Sequence, residues 1–270
     1  MVWILEPESR IKKPETKNPE LTYNTTIPPP RMSKPPITQT PGRKIQVQAM
    51  FNDIAGRYDL LNHLLSMGID KGWRKKLVKL MAQDKPKRIL DLATGTGDLA
   101  IAAAGLNPEH ITGTDIAEEM LAIGQEKVNK LGLGSIITLL KADSENLPFA
   151  DAEFDAAMVA FGVRNYENLP KGLTEMCRVL KPGARAFILE FSKPQKFPVK
   201  QLFGFYSRFI LPFIGRLVSK NSTAYTYLPE SVAAFPQDDN FIEIMKKAGF
   251  RQAEFIRLSF GITNLYIGKK

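Results

Sequence analysis

Nine residues, LDLATGTGD from Leu90 to Asp98, constrain this chain more than any other stretch. An apolar strand, RILDLA, runs into a glycine-rich turn and then into a helix-like run, LAIAAA. Gly95 and Gly97 let the backbone bend tightly and approach a ligand with no Cβ in the way. Asp91 stands at the strand end, where open α/β sheets bind ligands. Asp115 closes the next apolar run, ITGTD, 18 residues after Gly97. A carboxylate there accepts both hydroxyls of a ribose, so an adenosine cofactor is expected.

Two cofactors compete for such a loop. GTGDLA fits the dinucleotide fingerprint, with Ala100 in its third place. Asp98 argues against a pyrophosphate, because it puts an anion in the first helical turn where phosphates need bare N–H groups. Asp91 adds a second anion. Acids suit S-adenosylmethionine, which carries a sulfonium and an ammonium and no phosphate. A third acid, Asp143, follows the apolar run IITLLK, with Ser144 beside it. At a third strand end it accepts from an adenine amino group; the alternative is a plain turn or cap residue.

Bulk composition bounds the partners. The net charge of +9 suggests an anionic surface, membrane or nucleic acid. Residues 1–44 hold eight Lys/Arg against four Glu, and nine of the chain's 19 prolines. So little apolar surface cannot offset ordering entropy, and this extension is expected to be disordered. Its short apolar start, VWIL, does not read as a secretory signal, and Met32 is an alternative start. Cys177, the single cysteine, rules out an internal disulfide and reads as a core residue. His63 and His110 give no metal-ligand spacing, and no run is long enough to span a bilayer.

Residues 45–270 read as one domain. Residues 45–80 form a helical cap broken at Gly68, placed over the mouth of the cofactor site. Strands are expected at 88–93, 111–114, 136–141, 154–161 and 185–191, with helices between them. Lys181-Pro182-Gly183 reads as a turn before the fifth strand. Alternating strands and helices imply a doubly wound, mostly parallel sheet. Two more strands, joined near Gly261, imply an antiparallel C-terminal hairpin and seven strands in all. An insertion at 193–235 carries FPVKQLFGFYSRFILPFIGRLV. Phe203, Phe205, Phe209 and Phe213 alternate there with Lys200, Arg208 and Arg216, which suits either an interfacial helix or a lid packed on the core.

Four stretches, YDLLNHLLSMGIDKGW, LDLATGTGD, AFGVRNYENLPKGLTEMCRVLKPGARAFILEFS and YTYLPESVAAFP, resemble the ubiquinone/menaquinone biosynthesis C-methyltransferases, in particular the demethylmenaquinone branch. The resemblance runs from about Val47 to Gly268. It implies a class I S-adenosylmethionine-dependent methyltransferase fold acting on a reduced polyprenyl naphthoquinol, demethylmenaquinol to menaquinol. A ubiquinone-pathway benzoquinol, or another small molecule on the same fold, is the alternative. The expected cofactor shell is Asp91, Thr94, Gly95, Thr96, Gly97, Asp115, Ile116, Asp143 and Ser144; the resemblance supplies Thr96 and supports the last acids. It puts the quinone ring near Arg164 and Asn165. The chain departs from the family's usual residues at Asp70, Ala160, Ala184 and Tyr266.

Methylating a ring carbon requires that a ring hydroxyl of pKa about 10 lose its proton. A base or a fixed positive charge must favour the oxyanion. Arg164 is the candidate charge and Asn165 its orienting partner; a strand-end ion pair is the plainer role for Arg164. Tyr225 and Tyr227 either relay a proton or wall the ring, and His63 is a further group within reach of the cap. The tailed substrate implies peripheral membrane contact from the cytoplasm. The resemblance also implies a homodimer. Nucleic acid is not expected, since neither a Pro-Pro-aromatic tetrapeptide nor a Pro-Cys pair follows the fourth strand.

Overall fold

The computed structural model describes residues 42–66, 68–206 and 223–270. Helix α1 spans Arg43–Leu65 and α2 spans Ile69–Met81, with Gly68 between them at φ +75°. Thus the break falls where the glycine stands, and a left-handed residue there costs no Cβ clash. The first helix starts at Arg43, two residues inside the basic extension, because Arg43 and Lys44 both have partners in the folded part. The rest of that extension lies outside the described residues.

The chain then alternates: β1 (Arg88–Leu92), α3 (Asp98–Ala104), β2 (His110–Asp115), α4 (Glu118–Lys130), β3 (Ile137–Lys141), β4 (Phe154–Ala160), α5 (Leu169–Val179) and β5 (Leu180–Phe191). Three helices follow among the described residues: α6 (Val199–Phe205), α7 (Thr223–Ala234) and α8 (Asp239–Lys247). The hairpin β6 (Gln252–Leu258) and β7 (Thr263–Lys269) completes the fold. Strand order is β3-β2-β1-β4-β5-β7-β6. β1 to β5 pair parallel, and β7 runs antiparallel between β5 and β6.

Two apolar layers cover the sheet, one per face, as period-2 strands require. Leu90 and Leu92 of β1 pack with Leu173 and Met176 of α5 and Phe241 and Met245 of α8. Ile89 points the other way, to Leu77 and Met81 of α2 and Leu99 and Ala103 of α3. Cys177 is buried in the first layer. Helix signals are local: the Asn168 side chain caps α5 by accepting from the Lys171 N–H at 3.0 Å. Acids open α4 and lysines close it, matching the helix dipole.

One expected turn is corrected. Lys181-Pro182-Gly183 is an excursion inside β5, not a turn before it. Phe154 pairs with Leu180 and Ala156 with Arg185, so four residues of β5 loop out against one of β4. Gly183 takes φ +81°, and the Lys181 ammonium reaches the one skipped residue, Asp155, at 2.6 Å.

The insertion after β5 is clasped at its base. Gln237 Oε1 accepts from the Ser192 hydroxyl at 3.0 Å and from the Lys193 N–H at 2.9 Å, while its Nε2 donates to the Val232 carbonyl at 2.8 Å.

Candidate active site

Strand order reverses between β1 and β4, so the loops after these strands diverge and leave a crevice. Two residues at its floor hold positive φ without being glycine: Ala93 at +48° and Phe161 at +60°. Such strain persists only where the surroundings enforce it. At Phe161 the N–H donates to the Leu189 carbonyl at 2.7 Å, and the carbonyl is taken by the Arg164 guanidinium. Gly162 follows because a Cβ there would sit 2.6 Å from that of Ala93.

The crevice opens into a cavity roofed by α1. Gly95, Asp115, Ile116, Asp143, Ser144 and Asn165 line it. Asp115 Oδ2 accepts from the Gly95 N–H and Oδ1 from the Ala117 N–H, both at 2.9 Å. Burial raises its pKa, and those N–H groups oppose the rise. Its remaining lone pairs can accept a ribose diol. Asp143 Oδ1 accepts from the Glu145 N–H at 2.9 Å, and Oδ2 lies 2.7 Å from the Lys44 ammonium.

Four residues of the expected cofactor shell support the loop instead of lining the cavity. Asp91 is buried beneath it and accepts the Thr94 hydroxyl at 2.6 Å. Burial pushes the Asp91 carboxyl up to about 7, with the Thr94 bond pulling the other way. Thr94 also fixes the turn through its N–H on the Thr114 carbonyl at 2.9 Å. Thr96 turns away to Asp59 of α1 at 2.6 Å, beside Lys127 of α4, which also binds Asp98. Gly97, at φ +78°, starts α3 and is packed against Gly124 and Leu139.

Arg164 does not line this cavity. Its guanidinium lies 2.8 Å from Glu190 Oε1, and both side chains are buried, so its charge is matched by an internal partner. It borders a second cavity, between Val163, the start of α5 and the end of α7. Arg164 thus holds the Phe161 turn, the plainer of its two expected roles. Asn165, next in sequence, does face the first cavity, and its Oδ1 accepts the Tyr227 hydroxyl at 2.8 Å. The side chains of Tyr225 and His63, and the residues from Ser207 to Ser222, lie outside what the structure describes.

The roof was expected only as a segment. Lys44, Val47, Phe51 and Tyr58 of α1 all line the cavity. Their spacing of three, four and seven is one helical face, a signal present in the sequence. Gln48 ties this face down by donating to the Ile116 carbonyl at 2.8 Å. Burial opposes charge on Lys44, yet the Asp143 and Glu145 carboxylates outweigh it and raise its pKa. Burial likewise raises Tyr58, so its hydroxyl keeps its proton. Phe161, Met120 and Tyr166 complete the apolar lining.

An acid-ringed glycine loop at this switch point, with an antiparallel strand seventh in chain order, defines an α/β methyltransferase fold. Solved structures share it. A possible histamine N-methyltransferase from Thermotoga maritima superposes with TM-score 0.54 at 19% identity, over 82% of this chain and 99% of that one. A putative S-adenosyl-L-methionine-dependent methyltransferase from Methanococcus maripaludis gives 0.56 at 17% identity, over 83% and 93%. The family model described as the ubiE/COQ5 methyltransferase family matches residues 39–270, and the chain belongs to that family. The demethylmenaquinone methyltransferase of Bacteroides fragilis is 49% identical over 226 residues, 83% of this chain and 92% of the relative. That of Porphyromonas gingivalis is 46% identical over 243 residues, 89% and 99%.

Proposed function

We propose that this chain methylates a ring carbon of a reduced polyprenyl naphthoquinol, converting demethylmenaquinol to menaquinol. The observation that carries the reading is one cavity with two unlike walls. Asp115, Asp143 and Ser144 make an acidic wall, and Phe51, Tyr58, Phe161 and Tyr166 an aromatic one. The names of the Bacteroides and Porphyromonas relatives support the same substrate class.

The residues present fit S-adenosylmethionine. Its ribose suits Asp115, and its adenine amino group suits Asp143 with Ser144. Gly95 holds φ +57°, which favours glycine, and a Cβ there would press on the end of the Met120 side chain at 3.3 Å. Bound there, the cofactor supplies the methyl group from its sulfonium. The protein's own part is positioning and charge. Aromatic side chains hold a flat ring and exclude water, and the Asn165 amide donates to a ring oxygen as negative charge develops there. The ring hydroxyl gives its proton to water, the Asn165 bond lowers the cost of the oxyanion left behind, and the hydrogen on the methylated carbon leaves as a proton to water when the ring regains aromaticity.

The tail of such a substrate lives in a membrane. Among the described residues no helix is long and apolar enough to cross one. Yet Phe197, Leu202 and Phe205 around α6 are exposed, alongside exposed Lys193, Lys196 and Lys200. We read this as an interfacial surface, and flotation with anionic vesicles at low salt should carry the protein up. Protein left at the bottom would refute that contact.

The activity test is transfer from labelled S-adenosylmethionine to reduced demethylmenaquinone in detergent, with a reduced demethoxy-benzoquinol in parallel. Transfer to the naphthoquinol is the expected result. Transfer to both would make it a dual quinone enzyme, and transfer to neither would overturn the reading.

A further inference from the structure

Three elements remote in sequence converge on Asn165. Tyr227 of α7 is 3% exposed and packs against Val47 and Met50 of α1. Its hydroxyl lies 2.8 Å from Asn165 Oδ1 and 3.5 Å from an Nη of Arg43, in the first turn of α1. That same Nη donates to the Arg164 carbonyl, and the other Nη donates to the Tyr166 carbonyl at 3.3 Å. Arg43 therefore grips the backbone on both sides of Asn165.

The direction of each bond follows from chemistry. A guanidinium only donates, so the Tyr227 oxygen accepts on that side. That contact is at the 3.5 Å limit, and the direction rests on the 2.8 Å bond, in which the Tyr227 hydroxyl donates to Asn165 Oδ1. With Oδ1 occupied, Nδ2 is the polar atom that Asn165 has left to offer in the cavity it lines. Its one acceptor among the described residues, the Phe161 carbonyl, is 3.4 Å away, at the outer limit of a hydrogen bond. An amide so held keeps its donating capacity for a ligand oxygen.

We infer that Arg43 and Tyr227 are positioning residues that fix the Asn165 amide as the hydrogen-bond donor to the acceptor substrate. The inference rests on the quinol reading given above, and it makes a docked α1 a condition for turnover. Neither residue touches the reacting atoms; both act through Asn165. The donor is complete only when the first turn of the cap, the turn after β4 and α7 are together.

Tyr227→Phe removes the hydroxyl and keeps the ring packing. It should lower kcat by about tenfold or more, with cofactor Kd and KM nearly unchanged, because the missing bond orients a donor and does not hold the cofactor. Asn165→Ala should cost at least as much. The double variant should be no worse than Asn165→Ala alone, since the tyrosine acts through the asparagine. Arg43→Gln should give a smaller loss of the same kind. A readout without substrate is the side-chain amide NMR signal of Asn165, which should shift in Tyr227→Phe and in Arg43→Gln. Additive kcat losses, or an Asn165 signal unmoved in both variants, would overturn the inference. If the wild-type protein methylates no quinol, the functional reading fails, and the NMR signal still decides on the positioning chain.

Discussion

Asp91 offers a quantitative test of how the glycine loop is built. The side chain is 1% exposed, and burial lifts its carboxyl from an ordinary 3.8 to about 7. Between those values the folded chain holds a proton that the unfolded chain has released. Stability therefore falls as pH rises from about 4 to about 7 and stays level above that. A shift of about three pH units at about 1.4 kcal/mol each amounts to roughly 4 kcal/mol. Asp91→Asn keeps the shape and the oxygen that accepts from Thr94, and removes the charge. Urea unfolding across that range should give converging stabilities for the two proteins near pH 4. Near neutral pH the Asn variant should be the more stable by up to that amount. A constant offset between the two proteins at every pH would refute the reasoning.

Other perturbations separate support from contact. Glu190→Gln leaves the buried Arg164 charge without its counterion and should cost about 3–5 kcal/mol, seen as a large fall in Tm; a change near zero would mean water reaches that pair. Gly162→Ala forces a Cβ against Ala93 and should cost about 1–3 kcal/mol in denaturant unfolding while weakening cofactor binding; an unaltered protein would show the crevice floor to be soft. Lys44→Met removes the cap's ion pairs to Asp143 and Glu145. It should leave stability within about 1 kcal/mol, because the pair is partly exposed, yet speed cofactor release in stopped-flow displacement. Release at the wild-type rate would show that the Lys44 ion pairs do not hold α1 over the site.

What the sequence discloses here is what short-range physics controls. The β1 loop, the helix break at Gly68 and the start of α5 all follow from glycine and cap residues acting on their neighbours. Strand ends then place Asp115 and Asp143 at one crevice, because a parallel sheet aligns them. Contacts set by distant pairing are hidden. Arg164 and Glu190 stand 26 residues apart, and nothing local reveals that one neutralises the other. Arg43 and Tyr227 are 184 residues apart. The excursion in β5 escapes for the same reason: Lys-Pro-Gly signals a turn, and only the partner strand shows that pairing resumes on both sides. Asp91 and Thr96 carry ligand-loop sequence signatures, yet Asp91 lies beneath the loop and Thr96 bonds to Asp59 of α1, a distinction that depends on which way each side chain turns.

The clasp at Gln237 has an evolutionary consequence. Both ends of the segment between Lys193 and Gln237 are pinned to one side chain at the rim of the sheet. For a loop with fixed ends, doubling its length adds only about 0.6 kcal/mol of closure entropy. The stretch before α7 can therefore change in length at little cost, whereas α7 is committed to the site through Tyr227. The length and apolar content of that stretch can drift toward a different acceptor or tail while α7, the strands, the acids and the glycine loop stay as they are. Divergence within this fold should then accumulate between Lys193 and the start of α7.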